Sequence, residues 1–119
     1  MRDATRGGLA AVMHEWAEAC GLTLTVDEQR IPLTGDVRGA CELLGLDPLH
    51  VANEGTMVVA VPCDAVDTAL RALCSVPVSA DAAHAGHVGT RRLAACLIRR
   101  IGRDVPLDEP AGAPMPRIC

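Results

Sequence analysis

The chain has 119 residues, half of them hydrophobic and 22% charged, which is the size and composition of one globular domain with a single core. Trp16 is its one aromatic residue and it contains no lysine, so base-stacking platforms and lysine-based catalysis are excluded. The net charge of −4 argues against a nucleic-acid partner, because phosphate binding depends on clustered positive charge.

The first predicted element is a helix over residues 5–20. Its apolar side chains recur at intervals of three and four, at Leu9, Val12, Met13, Trp16 and Cys20. Gly21 stands where a left-handed cap ends such a helix, and His14 is expected on its surface. The alternating segment Leu22–Val26 then predicts a half-buried strand.

A second helix is predicted over Val37–Leu44, with Asp36 as its N-cap, Gly45 at its end and Val37, Cys41 and Leu44 on its buried face. Residues 47–55 have the composition of a loop. The continuously apolar run Met57–Val61 predicts an inner strand that is covered on both faces.

A third helix is predicted from Asp64, and its apolar stripe towards the core comprises Val66, Leu70, Leu73 and Cys74. An irregular connection, Ser75–Ala83, follows it. Leu93–Ile98 and Arg103–Leu107 predict a hairpin with a glycine in the turn.

These elements predict an α+β domain over residues 1–107, with a mixed β-sheet on which helices pack. Residues 108–119 contain three prolines and predict a flexible, extended tail that ends at Cys119. At roughly 3 Å per residue, such a tail reaches on the order of 30 Å.

The other five cysteines lie at least eleven residues apart and form no C-x-x-C pair, so we expect small core residues rather than disulfides or zinc ligands. Gly86 disfavours a helix through His84 and His87, and we expect no metal site. No apolar run is long enough to span a membrane, and no signal peptide is expected. A cytoplasmic location follows as an expectation.

The segment from Arg2 to Gly8 places two arginines, a carboxylate, a hydroxyl and two glycines at the start of the first helix. Helix N-termini attract anions, and glycines let the backbone approach a phosphate closely. The alternative is structural, with Asp3 or Thr5 capping the helix and the glycines permitting close packing.

Asn53 and Glu54 precede the predicted inner strand, and a partly desolvated Glu54 could serve as a general base. The alternative is a solvated loop carboxylate beside an asparagine in a turn. A thiol on a long arm, Cys119, could accept a chemical group at one site and present it at another, or it could be an incidental terminal cysteine.

Five blocks together resemble the carboxy-terminal half of the HypE family of hydrogenase expression/formation proteins, at residues 2–10, 36–41, 44–49, 51–55 and 116–119. Ala4 stands where the family pattern has proline. That family is similar in fold to aminoimidazole ribonucleotide synthetase. The resemblance therefore implies an α+β second half of a longer enzyme whose first half carries most of the ATP site.

The resemblance also implies a reaction. In the family, a carbamoyltransferase loads a carbamoyl group onto the terminal cysteine, and ATP-dependent dehydration, with magnesium, turns it into a thiocyanate. The cyano group then passes to iron on a maturation complex, as a ligand of [NiFe]-hydrogenase. The full-length protein is expected to be a homodimer.

Carried over to this sequence, the resemblance makes Cys119 the carrier and Glu54 the base. The nucleotide or phosphate side would be lined by Arg2, Asp3, Thr5, Arg6, Gly7, Gly8 and Asn53. Met1 lies inside the first motif, residues 1–8, which favours a truncated chain, and without the amino-terminal half we expect no ATP turnover. The alternative function is a non-catalytic module that docks hydrogenase maturation partners; a redox or metal protein is a third.

Overall fold

The structure is a computed structural model that describes residues 1–109. Its helices are α1 (Gly8–Cys20), α2 (Gly35–Leu44) and α3 (Val66–Cys74). Its strands are β1 (Arg2–Ala4), β2 (Thr23–Asp27), β3 (Asn53–Val58), β4 (Gly86–Val88), β5 (Ala95–Arg100) and β6 (Arg103–Pro106). The α+β class predicted from the sequence is confirmed.

A four-stranded mixed sheet forms the scaffold, in the order β4-β2-β5-β6. Strand β2 pairs in parallel with β5, whereas β4 and β6 are antiparallel to their neighbours. Strand β2 lies between β4 and β5, and its residues from Thr23 to Val26 are all buried, so the half-buried prediction for this strand was wrong. The buried Thr23 hydroxyl is satisfied by donating to the Leu93 carbonyl at 2.9 Å.

The predicted hairpin is confirmed as β5 and β6, which pair from Leu97–Pro106 to Arg100–Arg103. Its turn has positive φ at both central residues, 50° at Ile101 and 73° at Gly102. Two-residue hairpins favour this conformation because its twist matches that of the strands.

Helix α1 packs across this sheet and contributes Ala10, Met13 and Ala17 to the core. It ends at Gly21, as predicted, with φ 67° and its N–H bonded to the Ala17 carbonyl. One buried cluster joins helix, sheet and the residue after β6: Ala10, Met13, Ala17, Leu24, Val26, Leu49, Cys96, Ile98 and Leu107. The core is thus built from aliphatic and sulfur-containing side chains.

Helices α2 and α3 contribute little to that core. Thr34, rather than Asp36, caps α2, and Cys41 is the one buried residue on the predicted face of that helix. No residue of α3 is fully buried, and the helix begins after a short 3-10 turn that contains Asp64. The predicted positions of both helices are confirmed, whereas their predicted burial was wrong.

The predicted inner strand at Met57–Val61 was also wrong. The strand lies earlier, at Asn53–Val58, and pairs only with β1 among residues 1–109. Met57, Val59 and Val61 are exposed. Within residues 1–109, β1 is the one strand paired with β3, and Met57 of β3 stays exposed whatever its hydropathy.

The cysteine prediction holds for two of the five cysteines in residues 1–109. Cys41 and Cys96 are buried, whereas Cys20, Cys63 and Cys74 are exposed, and all five are free thiols. Burial raises the pKa of the Cys96 thiol to about 11, with smaller contributions from Cys20 and Glu18.

Candidate functional site

The pairing of β1 with β3 brings the two predicted site segments together. Ala4 lies opposite Asn53, whereas the preceding residue, Asp3, lies opposite Met57. Residues 54–56 therefore stand between two paired positions as a bulge, with Gly55 at φ 90°. Bulges re-aim side chains and are frequent next to functional sites. The bulge displays Glu54 beside the amino-terminal segment.

Glu54 and Asn53 are both exposed. Within residues 1–109, Glu54 is therefore solvated and lacks the partial desolvation that the general-base prediction assumed. Neither residue belongs to an irregular loop, since both lie in β3, and the loop predicted for residues 47–55 ends three residues earlier.

The segment after β1 turns into α1 through two glycines in the left-handed conformation, Gly7 with φ 67° and Gly8 with φ 65°. Gly7 is the N-cap, and no side chain caps the helix. The alternative in which Asp3 or Thr5 caps α1 was therefore wrong. No side chain accepts from the first turn of α1, but the Ala10 N–H donates to the Leu49 main-chain carbonyl, so the protein itself already occupies one of the N–H groups that an anion-binding helix end offers.

Gly8 has a clear packing role. A Cβ atom at this position would lie 2.4 Å from the Leu49 carbonyl oxygen and 2.7 Å from that of Val51. The Ala10 N–H donates to the same Leu49 carbonyl at 2.9 Å. Glycine lets the turn of residues 47–50 lie directly against α1, so the close-packing alternative explains this residue.

Two of the predicted phosphate-binding side chains differ in their surroundings. The Arg2 guanidinium forms an ion pair with Glu15 of α1, with 3.0 Å between nitrogen and oxygen. Arg6 lines an open groove with the Gly7 backbone. Thr5 is half-buried and Asp3 is exposed on β1. Within residues 1–109 Arg6 is therefore the cation of the two without an ion pair, although three carboxylates, Glu15, Glu18 and Glu109, line the same groove.

The groove beside Arg6 is lined by Arg6, Gly7, Ala11, His14, Glu15, Glu18 and Glu109. Glu109 is the last residue that the structure describes. Cys119 lies outside the described residues. The groove thus contains both Glu109 and residues of the segment that enters α1.

Two histidines contact the tail root, which comprises residues 107–109. No sequence pattern pointed to either contact. The carbonyl of Leu107 accepts from Nε2 of His14 at 3.1 Å, and that of Asp108 accepts from Nε2 of His50 at 3.0 Å. His14 is half-buried, so its predicted surface position was wrong. Both partners are main-chain atoms more than fifty residues away, which no local pattern encodes.

His84 and His87 do not lie on a helix, because β4 begins at Gly86. They line a second groove on the four-stranded sheet, with Asp27, Arg30 and Arg99. Within residues 1–109, no group of three or more His, Cys, Asp or Glu side chains is arranged to hold a metal ion. No helix in this part of the chain is long and apolar enough to cross a membrane.

The sequence matches the family described as AIR synthase related protein, C-terminal domain, over residues 1–96. The chain belongs to this family. It is 48% identical to carbamoyl dehydratase HypE of Escherichia coli and 41% identical to that of Rhizobium leguminosarum bv. viciae, over its whole length in both cases. It spans about a third of the length of these relatives, 35% and 34%.

Solved structures agree with the sequence relatives. A crystal structure of E. coli HypE, a hydrogenase maturation protein, matches 99% of this chain and 36% of its own, with a TM-score of 0.90 and 47% identity. A HypE structure in complex with ATP matches 99% of this chain and 37% of its own, with a TM-score of 0.86 and 34% identity. A HypE–HypF complex matches 92% of this chain and 35% of its own, with a TM-score of 0.86 and 36% identity.

Proposed function

We propose that this chain acts as the carboxy-terminal domain of a carbamoyl dehydratase in [NiFe]-hydrogenase maturation. The relatives named above support the assignment through their names and through identity over the whole of this chain. The observation that carries the proposal is the β1–β3 pairing, which brings Asn53 and Glu54 beside the turn that enters α1.

In the proposed reaction, Cys119 carries a carbamoyl group on its sulfur. The oxygen of the carbamoyl group accepts the terminal phosphoryl group of ATP, and ADP is released. Loss of phosphate from carbon and of the protons from nitrogen then forms the C≡N bond, so that thiocyanate, ADP and phosphate are the products. Glu54 would take a proton from that nitrogen, since a carboxylate on a bulge can reach a group presented by the tail.

The residues at the start of α1 fit the phosphate side of this reaction. Arg6 faces the groove, and the first turn of the helix has no side-chain cap. Arg can grip phosphate oxygens in a bidentate manner, and helix N-termini favour anions. Arg2, Asp3, Thr5, Gly7, Gly8 and Asn53 complete the proposed nucleotide side, with Arg2 available once its pair with Glu15 opens.

The proposed partners follow from the same assignment. The HypE–HypF complex among the structural matches supports a carbamoyltransferase that loads Cys119. The HypE–ATP complex supports ATP as the co-substrate, and we propose that magnesium accompanies it. An iron-carrying maturation complex would receive the cyano group. Homodimerisation of the longer protein and a cytoplasmic location are also proposed.

The experiment uses a chimera in which this chain replaces the matching part of the E. coli relative. The chimera is incubated with the carbamoyltransferase, its carbamoyl donor and ATP, and the carboxy-terminal peptide is followed by mass spectrometry. We expect a carbamoyl and then a cyano group on Cys119. Absence of either modification, with the E. coli protein active in parallel, would refute the proposal.

Two variants of the chimera test the assigned roles. Glu54→Gln should leave carbamoyl loading intact and stop dehydration, because the amide cannot accept the proton. Asp64→Asn, an exposed carboxylate after β3, is the matched control and should react normally. Adding a few residues after Cys119 should abolish maturation without changing the fold. Thiocyanate formed at the normal rate by the Glu54 variant would remove Glu54 from the mechanism.

A docking function without catalysis is the second candidate. The exposed Met57 of β3 and the exposed Val59 and Val61 that follow it favour this function, because neighbouring apolar side chains in solvent are typical of contact surfaces. This function predicts stable binding of maturation partners with no modification of Cys119 in the same assay.

A further inference from the structure

Leu107 and Asp108, in the tail root, are held by three hydrogen bonds to other parts of the domain. Leu107 is buried in the core cluster, and its N–H donates to the Cys96 carbonyl at 2.9 Å. Its own carbonyl accepts from His14, and the next carbonyl, that of Asp108, accepts from His50. Since a carbonyl oxygen can only accept, Nε2 carries the hydrogen in both imidazoles.

The two histidines come from different elements that meet at this point. His14 projects from α1, and His50 lies in the turn that packs against Gly8. That turn is fixed by Asp47, whose side chain accepts from the Leu49 N–H at 2.9 Å and from Arg100 at 3.0 Å. The helix, the turn and strand β5 therefore hold both imidazoles in place.

The next residue after these contacts, Glu109, already lines the groove that contains Arg6 and Gly7. Two consecutive carbonyls, each bound by a different element, thus fix the position of the chain at residues 107 and 108. Fixing the origin of an arm raises the local concentration of its end near any site within reach.

We infer that His14 and His50 are positioning residues that clamp Leu107 and Asp108 and so fix the starting point of the segment that carries Cys119 for dehydration. The inference rests on the proposed function, since it assigns the clamp a role in dehydration. Loading of Cys119 would occur at the partner's own site and would not need the clamp.

The test compares His14→Phe/His50→Phe with His14→Gln/His50→Gln in the chimera. Phenylalanine keeps the ring and removes the donor, whereas glutamine keeps a donor close to the Nε2 position. We expect carbamoyl loading within about twofold of the parent for both, and dehydration about tenfold slower for the phenylalanine variant only. His84→Phe, in the other groove, is the control and should dehydrate normally.

Normal dehydration by the phenylalanine variant would overturn the inference. An equal loss of dehydration rate in both double variants would also overturn it, as would a parallel loss of the loading and dehydration rates. Either result would indicate general damage to the fold rather than lost positioning.

Hydrogen exchange in this chain alone tests the clamp independently of catalysis. We expect the peptide around residues 105–109 to exchange faster in the phenylalanine variant and at the parent rate in the glutamine variant. Unchanged exchange in the phenylalanine variant would refute the clamp even if the dehydratase function stands. Faster exchange in the phenylalanine variant, together with a parent chimera that does not dehydrate, would support the clamp as an anchor and reject the dehydratase function.

Discussion

The molecule has two regions that differ in how they use apolar residues. Helix α1 and the four-stranded sheet bury nearly all of the core, whereas residues 35–84 contain only Cys41 and Leu49 as buried positions. The second region nevertheless holds Glu54, His50 and the exposed strand β3. Stability thus comes from the first region, and the candidate chemistry lies where the second region meets the start of α1.

The largest expected effect tests whether the sheet region provides the stability. Ile98 is 1% exposed in β5, and Ile98→Ala should lower the free energy of unfolding by about 2–5 kcal/mol, through lost burial and a residual cavity. Leu43, 90% exposed in the other region, is the control, and Leu43→Ala should change it by less than about 0.5 kcal/mol. Denaturant melts of both variants measure the difference. Equal losses would contradict the division.

The junction between the regions gives the next effect. Gly8→Ala should cost about 2–4 kcal/mol, because it combines a left-handed backbone with a clash against the Leu49 carbonyl. Gly21→Ala shares the left-handed backbone, with φ 67°, but meets nothing within 4 Å, and should cost about 1 kcal/mol. Thermal or denaturant unfolding compares the two. Similar losses would mean that the close approach of the turn contributes nothing.

The smallest effect concerns pH. The pKa of Cys96 rises from 9.0 to about 11 on folding, mainly through burial, so the folded state holds this proton more tightly than the unfolded state. Its contribution is complete below pH 9 and is lost as the pH rises towards 11, by on the order of 1 kcal/mol. Unfolding measured between pH 8 and 11 should show this decline.

The Cys96→Ala variant is the control for the pH effect. It removes the buried thiol and should flatten this part of the decline, even though its stability at neutral pH is lower. A decline of the same size in the variant would assign it to other groups.

Sequence patterns predicted those elements whose conformation depends on residues close together in the chain. The spacing of apolar residues from Leu9 to Cys20 and the caps at Gly21 and Gly45 identified α1 and the ends of α1 and α2. The glycine turn identified the β5–β6 hairpin. Each depends on backbone conformation within a few residues.

Burial could not be predicted in the same way. Val37 and Leu44 have the spacing of a core face, and Met57–Val61 has the hydropathy of an inner strand, yet these side chains are largely exposed. Thr23 and Thr25 alternate as an outer face and are buried. Which face is covered depends on the neighbours that the fold supplies, and hydropathy contains no information about them.

The α+β class, the main helices and the residue types that carry the candidate chemistry could be predicted from the sequence, because they depend on composition and short-range spacing. Two features could be seen only in the folded molecule. A bulge in β3 places Glu54 beside Ala4, and His14 and His50 contact the tail root. Those contacts join residues about fifty or more positions apart through main-chain atoms, which every residue possesses and no side-chain pattern reveals.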